Sequence, residues 1–172
     1  MEILVAPNPK LRVKTKPVKK ITPELIKLGR KMIKFTQSFT DPEGVGLSTN
    51  QIGRDERFFI AKIAKKFIIC FNPEIRSFAK KERVYFEGCL SIPNYFGEVK
   101  RPIFIRVLYL DETGQRISKK LSGPSSWIFQ HEMDHLNGIL FMDHVLEQKG
   151  RVFKCVGKDR AGGDVFEEIK LV

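Results

Sequence analysis

Residues 130–138 read QHEMDHLNG. His131 and His135 stand four positions apart, with Glu132 between them. On a helix that step is a little more than one turn, so both imidazoles leave the same face about 6 Å apart along the axis. This is the spacing of two metal ligands with a carboxylate beside the metal. The flanks support a helix that opens near SGPSS at 122–126, runs through WIFQHEMDHL and stops at Asn137-Gly138.

Upstream of it the periodicity changes. RFFIAKIA, KFIICFNP, ERVYFEG, FGEVKRP, IFIRVLYLD and QRISKKLS read as short strands, close together and joined by turn residues such as DETG at 111–114. Short connections predict antiparallel neighbours. Further back, ITPELIKLGRKMIKFTQSF predicts an N-terminal helix with Thr22 as cap, Pro23 in the first turn and Glu24 at the positive end. Leu25, Leu28, Met32, Phe35 and Phe39 form its buried stripe. Between that helix and the strands lies a Gly-rich stretch, GVGLSTNQIG. The expected fold class is α+β: antiparallel sheets packed around a central helix that carries the histidines, with an N-terminal helix. The chain of 172 residues suits one domain over 1–172, with 149–172 as a tail in which VFEEIKLV is a candidate last strand.

Two histidines do not hold a catalytic metal alone. An extended HExxHxxGxxH pattern would need a histidine where Phe141 stands, and His144 lies three residues too far. Glu147 follows too closely to serve from a later helix, and Glu167 and Glu168 sit in the tail. Of three cysteines, Cys70 lies in an apolar strand, where a thiol acts as a small hydrophobe, and Cys155 lies in the tail. Cys89, in EGCLSIP, is placed between Gly88 and a short strand that Pro93 is expected to end. A thiolate with two imidazoles leaves one open position and favours iron-group or zinc chemistry over Mg²⁺ or Ca²⁺.

Taken in order, GVGLSTNQ, EGCLSIP and QHEMDHLNG resemble the three signature stretches of the peptide deformylase family, and the CLSIP form resembles its bacterial branch. The opening VAPNPKLRVKTKPV is similar to that family's N-terminal segment, so the resemblance runs from about residue 3 to residue 146. It implies an enzyme that removes the formyl group from the N-terminal formyl-methionine of nascent polypeptides. Cys89, His131 and His135 would hold one divalent metal, with Fe²⁺ favoured and Zn²⁺, Ni²⁺ or Co²⁺ permitted. Glu132 would move the proton from water to the leaving amine. The Gln51 amide and the Leu90 backbone N–H would donate to the oxyanion. Gly44 and Gly46 would let backbone approach the substrate closely, and Val45, Trp127 and Ile128 would line the methionine pocket. The resemblance further pairs Glu87 with Arg101 across the site and offers the edge near Asn94–Gly97 to substrate backbone as an added strand. Ser48 and Thr49 depart from the family, which usually has two alanines there; their hydroxyls either reshape the surroundings of Gln51 or satisfy local backbone.

Lys and Arg number 31 against 20 Asp and Glu, a formal net charge of +11. That balance suits attraction to a polyanion, with transient ribosome contact through a basic surface as the expectation, although no RNA-binding signature accompanies it. No run suits a bilayer span, the start lacks a secretory pattern, and no specific DNA partner is indicated, so the expected compartment is the cytoplasm. Two other readings stay open from the residues: a zincin-like endopeptidase, and a non-catalytic RNA-binding module with a structural metal.

Overall fold

The computed structural model describes residues 1–170. In chain order the elements are helix α1 (Pro23–Gln37), strands β1 (Gly46–Ser48), β2 (Phe58–Ile63), β3 (Lys66–Phe78), β4 (Glu82–Cys89), β5 (Ile92–Pro102), β6 (Phe104–Leu110) and β7 (Arg116–Ser122), helices α2 (Gly123–Leu136) and α3 (Phe141–Gln148), and strands β8 (Val152–Lys158) and β9 (Asp164–Ile169). A five-stranded sheet has the order β1-β2-β3-β6-β7, and a four-stranded sheet the order β4-β5-β8-β9. Every pairing within them is antiparallel.

The apolar run FFIAKI shows why the first sheet is central. A strand with one wet face alternates apolar and polar residues, whereas one covered on both faces reads as a continuous apolar run. Phe58 and Ile60 point to one side, where they pack with Leu47, Ile69 and Phe71 against Met32 of α1. Phe59, Ala61 and Ile63 point to the other, where Ile128, Phe129, Met133 and Leu136 of α2 meet them. Thr22 caps α1, its Oγ1 accepting from Leu25 N at 3.4 Å. With its apolar side on the sheet, α2 turns His131 and His135 toward β4 of the second sheet and Glu132 toward the edge strand β1. The α+β expectation therefore holds, antiparallel pairing included.

The tail is more ordered than its glycines suggested. β8 and β9 form a hairpin, and Asp164–Ile169 fulfils the last-strand expectation within the described residues; positions 171 and 172 lie outside them. α3 was not foreseen. It buries Phe141 and Val145 against Val99 and Val152 of the second sheet. Two local expectations are corrected. Pro93 does not end a strand but stands at the second position of β5, a strand start where its missing N–H costs little. The edge at Tyr95–Gly97 is not free for substrate, because Lys154, Phe153 and Val152 of β8 pair with it.

Candidate active site

Three elements that are distant in sequence converge. Cys89 closes β4, α2 brings the two histidines, and β1 runs into a 3-10 turn, Thr49–Ile52, that carries Gln51. The ligand atoms of Cys89, His131 and His135 all lie within 4.8 Å of one another. Cys89 Sγ is 3.1 Å from His135 Nε2. His131 turns Nδ1 to Glu87 Oε2 at 2.9 Å, which leaves Nε2 for the centre. Both histidines are buried.

The electrostatics suit a cation. Burial pushes the His135 pKa well below the ordinary imidazole range, with the nearby His131 adding to it, so His135 offers a neutral lone pair. Burial also opposes charge on His131, but the Cys89 sulfur and the Glu87 carboxylate overcome it and raise that pKa well above normal. Positive charge between a thiol and a carboxylate is thus favoured here. The donor set of one sulfur and two imidazole nitrogens, in this compact grouping, fits a divalent transition metal.

Glu87 does more than brace a loop. It is fully buried and pairs with Arg101 through both carboxylate oxygens, with Arg101 Nη2 to Oε2 at 2.9 Å. Arg101 also reaches Asp134 Oδ2 at 2.8 Å. Burial alone would raise the Glu87 pKa, but Arg101 and then His131 outweigh it and bring the group to about 2. A fixed carboxylate is therefore hydrogen-bonded to a candidate ligand, the arrangement that locks an imidazole's tautomer and direction. The sequence reading paired Glu87 with Arg101 but missed this bond, which spans 44 positions and has no local signal.

Glu132 is buried beside the cluster, and burial lifts its pKa to about 7 against the lowering effects of His131 and Ser48. Its Oε2 accepts from Ser48 Oγ at 2.8 Å. Its Oε1 lies over Gly46, where any Cβ would collide with the carboxylate, so β1 needs glycine at that position. The two hydroxyls that depart from the family thus part ways. Ser48 touches the candidate acid–base group, whereas Thr49 Oγ1 donates to backbone, with Phe58 O at 3.1 Å. Gln51 Oε1 accepts from Ser48 N at 2.9 Å, and its Nε2 lies 3.0 Å from Ser91 Oγ and 3.5 Å from Cys89 Sγ.

A cleft of about 720 Å³ opens over this group. Gly44, Val45, Gly46, Gln51, Cys89 and Leu90 line it, as do Trp127, Ile128, His131 and Glu132, so the structure gathers every candidate residue there except His135, which sits beneath. Trp127 stacks on Tyr85, with ring centroids 6.0 Å apart. The sequence reading missed the outer lining, which includes Phe39, Asp41, Val156, Lys158 and Asp164. The rejected ligand positions are otherwise engaged: Phe141 is buried in the α3 core, and His144 Nε2 bonds Asp134 at 2.9 Å. Cys70 is fully buried on β3, in keeping with a core thiol.

This α+β frame, with a thiol, two imidazoles and an adjacent carboxylate at the floor of a cleft, defines a metal-dependent hydrolase. Comparison with known proteins narrows the class. The profile of the polypeptide deformylase family matches residues 1–151. A curated peptide deformylase of Mesorhizobium japonicum is 39% identical over 170 residues, 94% of this chain and 95% of that protein. The crystal structure of the Thermotoga maritima peptide deformylase superposes with a TM-score of 0.78 at 37% identity, over 83% of this chain and 95% of that one. An inhibitor complex of an Arabidopsis thaliana peptide deformylase gives 0.79 at 37% identity, over 86% and 83%. The chain belongs to the polypeptide deformylase family and is an enzyme. Among the described residues, no helix is long and apolar enough to cross a membrane.

Proposed function

We propose a division of labour in which this chain's own residues carry out the family's hydrolysis: removal of the N-formyl group from the N-terminal formyl-methionine of newly made polypeptides, with release of formate. The observation that carries it is the convergence of Cys89, His131 and His135 beside a buried Glu132 at the floor of one cleft. Cys89 Sγ and the two Nε2 atoms would hold one divalent metal, with Fe²⁺ as the native ion and Zn²⁺, Ni²⁺ or Co²⁺ as substitutes compatible with the same donors. When bound, the metal supplies Lewis-acid polarisation and makes water a nucleophile near neutral pH.

Glu132 takes a proton from the attacking water, on Oε1, the oxygen that Ser48 does not engage. Water oxygen bonds to the formyl carbon, the C–N bond breaks, and Glu132 returns the proton to the departing amine. The Gln51 amide and Leu90 N–H donate to the oxygen that gains charge. Substrate backbone lies along Gly44–Gly46, at the sheet edge formed by β1, and the methionine side chain rests among Val45, Trp127 and Ile128. Residues 1–172 act as one catalytic domain in the cytoplasm, and the +11 charge supports transient contact with the ribosome.

The test is formate release from a short N-formyl-methionyl peptide by protein prepared without oxygen and loaded with Fe²⁺, Ni²⁺ or Zn²⁺. Formate in proportion to bound metal is expected. Folded, metal-loaded protein that yields none with any ion would overturn the proposal.

A further inference from the structure

The family profile ends at residue 151, yet the chain continues into a hairpin that walls the cleft. In a regular strand, side chains alternate between faces, so four consecutive residues do not all serve one cavity. Here Cys155, Val156, Gly157 and Lys158 all line the cleft. The reason is a break in register between β8 and β9. Cys155 pairs with Phe166 and Gly157 with Val165, which leaves Val156 as an extra residue. Gly157 has φ +147°, a conformation that side chains resist. A bulge of this kind re-aims side chains, and such bulges favour the borders of active sites.

Aromatic contacts anchor the hairpin to β4 and β5. Phe166 meets Phe86 and Phe96 edge-on, with centroids 5.2 and 5.1 Å away, and Phe153 meets Phe86 at 5.5 Å. Its tip is tied across the mouth, where Lys158 Nζ lies 2.5 Å from Asp41 Oδ2 and 2.8 Å from Asp164 Oδ1. Val156 remains 45% exposed. The cleft is continuous from Cys89 and Glu132 to this wall, and its about 720 Å³ is of a size that takes a whole drug-sized ligand, more than one amino-acid residue.

We infer that the bulged β8–β9 hairpin forms the far wall of the peptide channel, where Val156 contacts the residues that follow the formyl-methionine and favours longer substrates with apolar side chains there. This rests on the deformylase reading above. The occupant is the substrate chain itself, because the wall is continuous with the centre at which that chain reacts.

The test compares two N-formylated peptides of sequence Met-Ala and Met-Ala-Leu-Leu, both amidated, on the metal-loaded full chain. Wild type should have the lower KM for the longer peptide. Val156→Asp should raise KM for the longer peptide at least fivefold more than for the shorter, and Val156→Phe should lower it for the longer one. Equal changes for both peptides, or no change in either variant, would overturn the inference while leaving formate release intact. Absence of formate from wild type with both peptides would instead strike the deformylase reading. Circular dichroism of each variant guards against simple misfolding, and the opposite sign expected for the two substitutions cannot come from lost structure.

Discussion

The reacting centre and the C-terminal hairpin border one cleft but are held by opposite means. At the centre, Arg101 and Glu87 are all but fully buried and fix His131 through a buried ion pair. At the rim, Lys158 and Asp41 are each about half exposed. Removing one partner of a buried charged network strands the other in low dielectric, whereas an exposed pair is screened and nearly dispensable. The chain thus places its buried charged contacts on the direction of one imidazole and closes the rim of the cleft with a solvent-screened pair.

The greatest loss is expected at the ligands. Cys89→Ala should abolish stoichiometric metal binding and formate release together, read by elemental analysis after dialysis and by a formate assay. Full metal occupancy in that variant would remove Cys89 from the ligand set.

Next in size is Arg101→Leu, which leaves Glu87 buried without its main partner. A loss of roughly 3–5 kcal/mol in urea unfolding is expected. The sign with pH follows from Glu87, whose folded pKa of about 2 lies below its ordinary 4.5. Its stabilisation is complete above the ordinary value and is lost as pH falls toward 2. Arg101→Leu should flatten that acid dependence. An unchanged acid profile would show that the pair does not hold Glu87 ionised.

Smaller, and sharper, is the contrast between the two hydroxyls. Glu132 must be ionised to take a proton, so kcat/KM should climb as pH rises through the Glu132 pKa of the metal-loaded enzyme. Ser48 lowers that pKa, so Ser48→Ala should move the rising limb to higher pH. Thr49→Ala touches only the Glu56 and Phe58 carbonyls and should cost about 1 kcal/mol of stability while leaving the limb in place. Superimposable pH profiles for wild type and Ser48→Ala would deny Ser48 any hold on Glu132. Smallest of all, Lys158→Ala should barely move the midpoint of urea unfolding, because its ion pair with Asp41 is exposed. A larger loss would mean the rim is built like the centre.

The sequence disclosed what local pattern can carry. Period-2 and continuous apolar runs located β2 to β7, caps located α1 and α2, and the step from His131 to His135 pointed to a shared face. Elimination then led to Cys89, which the structure places 3.1 Å from His135. Contacts across the chain left no such trace. Nothing near Glu87 announces His131, and nothing near Ser48 announces Glu132, because each bond is made by sheet and helix packing. Pro93 misled because proline stops a strand interior yet is tolerated at a strand start. α3 is only eight residues long and follows closely on α2, which left too short a period to read. The tail's glycines argued against a long helix, correctly, but one of them makes the bulge that turns β8 into the cleft, and bulges have no periodic signature.

The most direct test of the account is a single comparison of formate released per metal bound, in wild type and Glu132→Gln, both loaded with the same ion. The variant should keep its metal and lose turnover by at least a hundredfold, because the proton carrier is gone while the three ligands remain. A Glu132→Gln protein that binds metal and releases formate at a rate near wild type would contradict it.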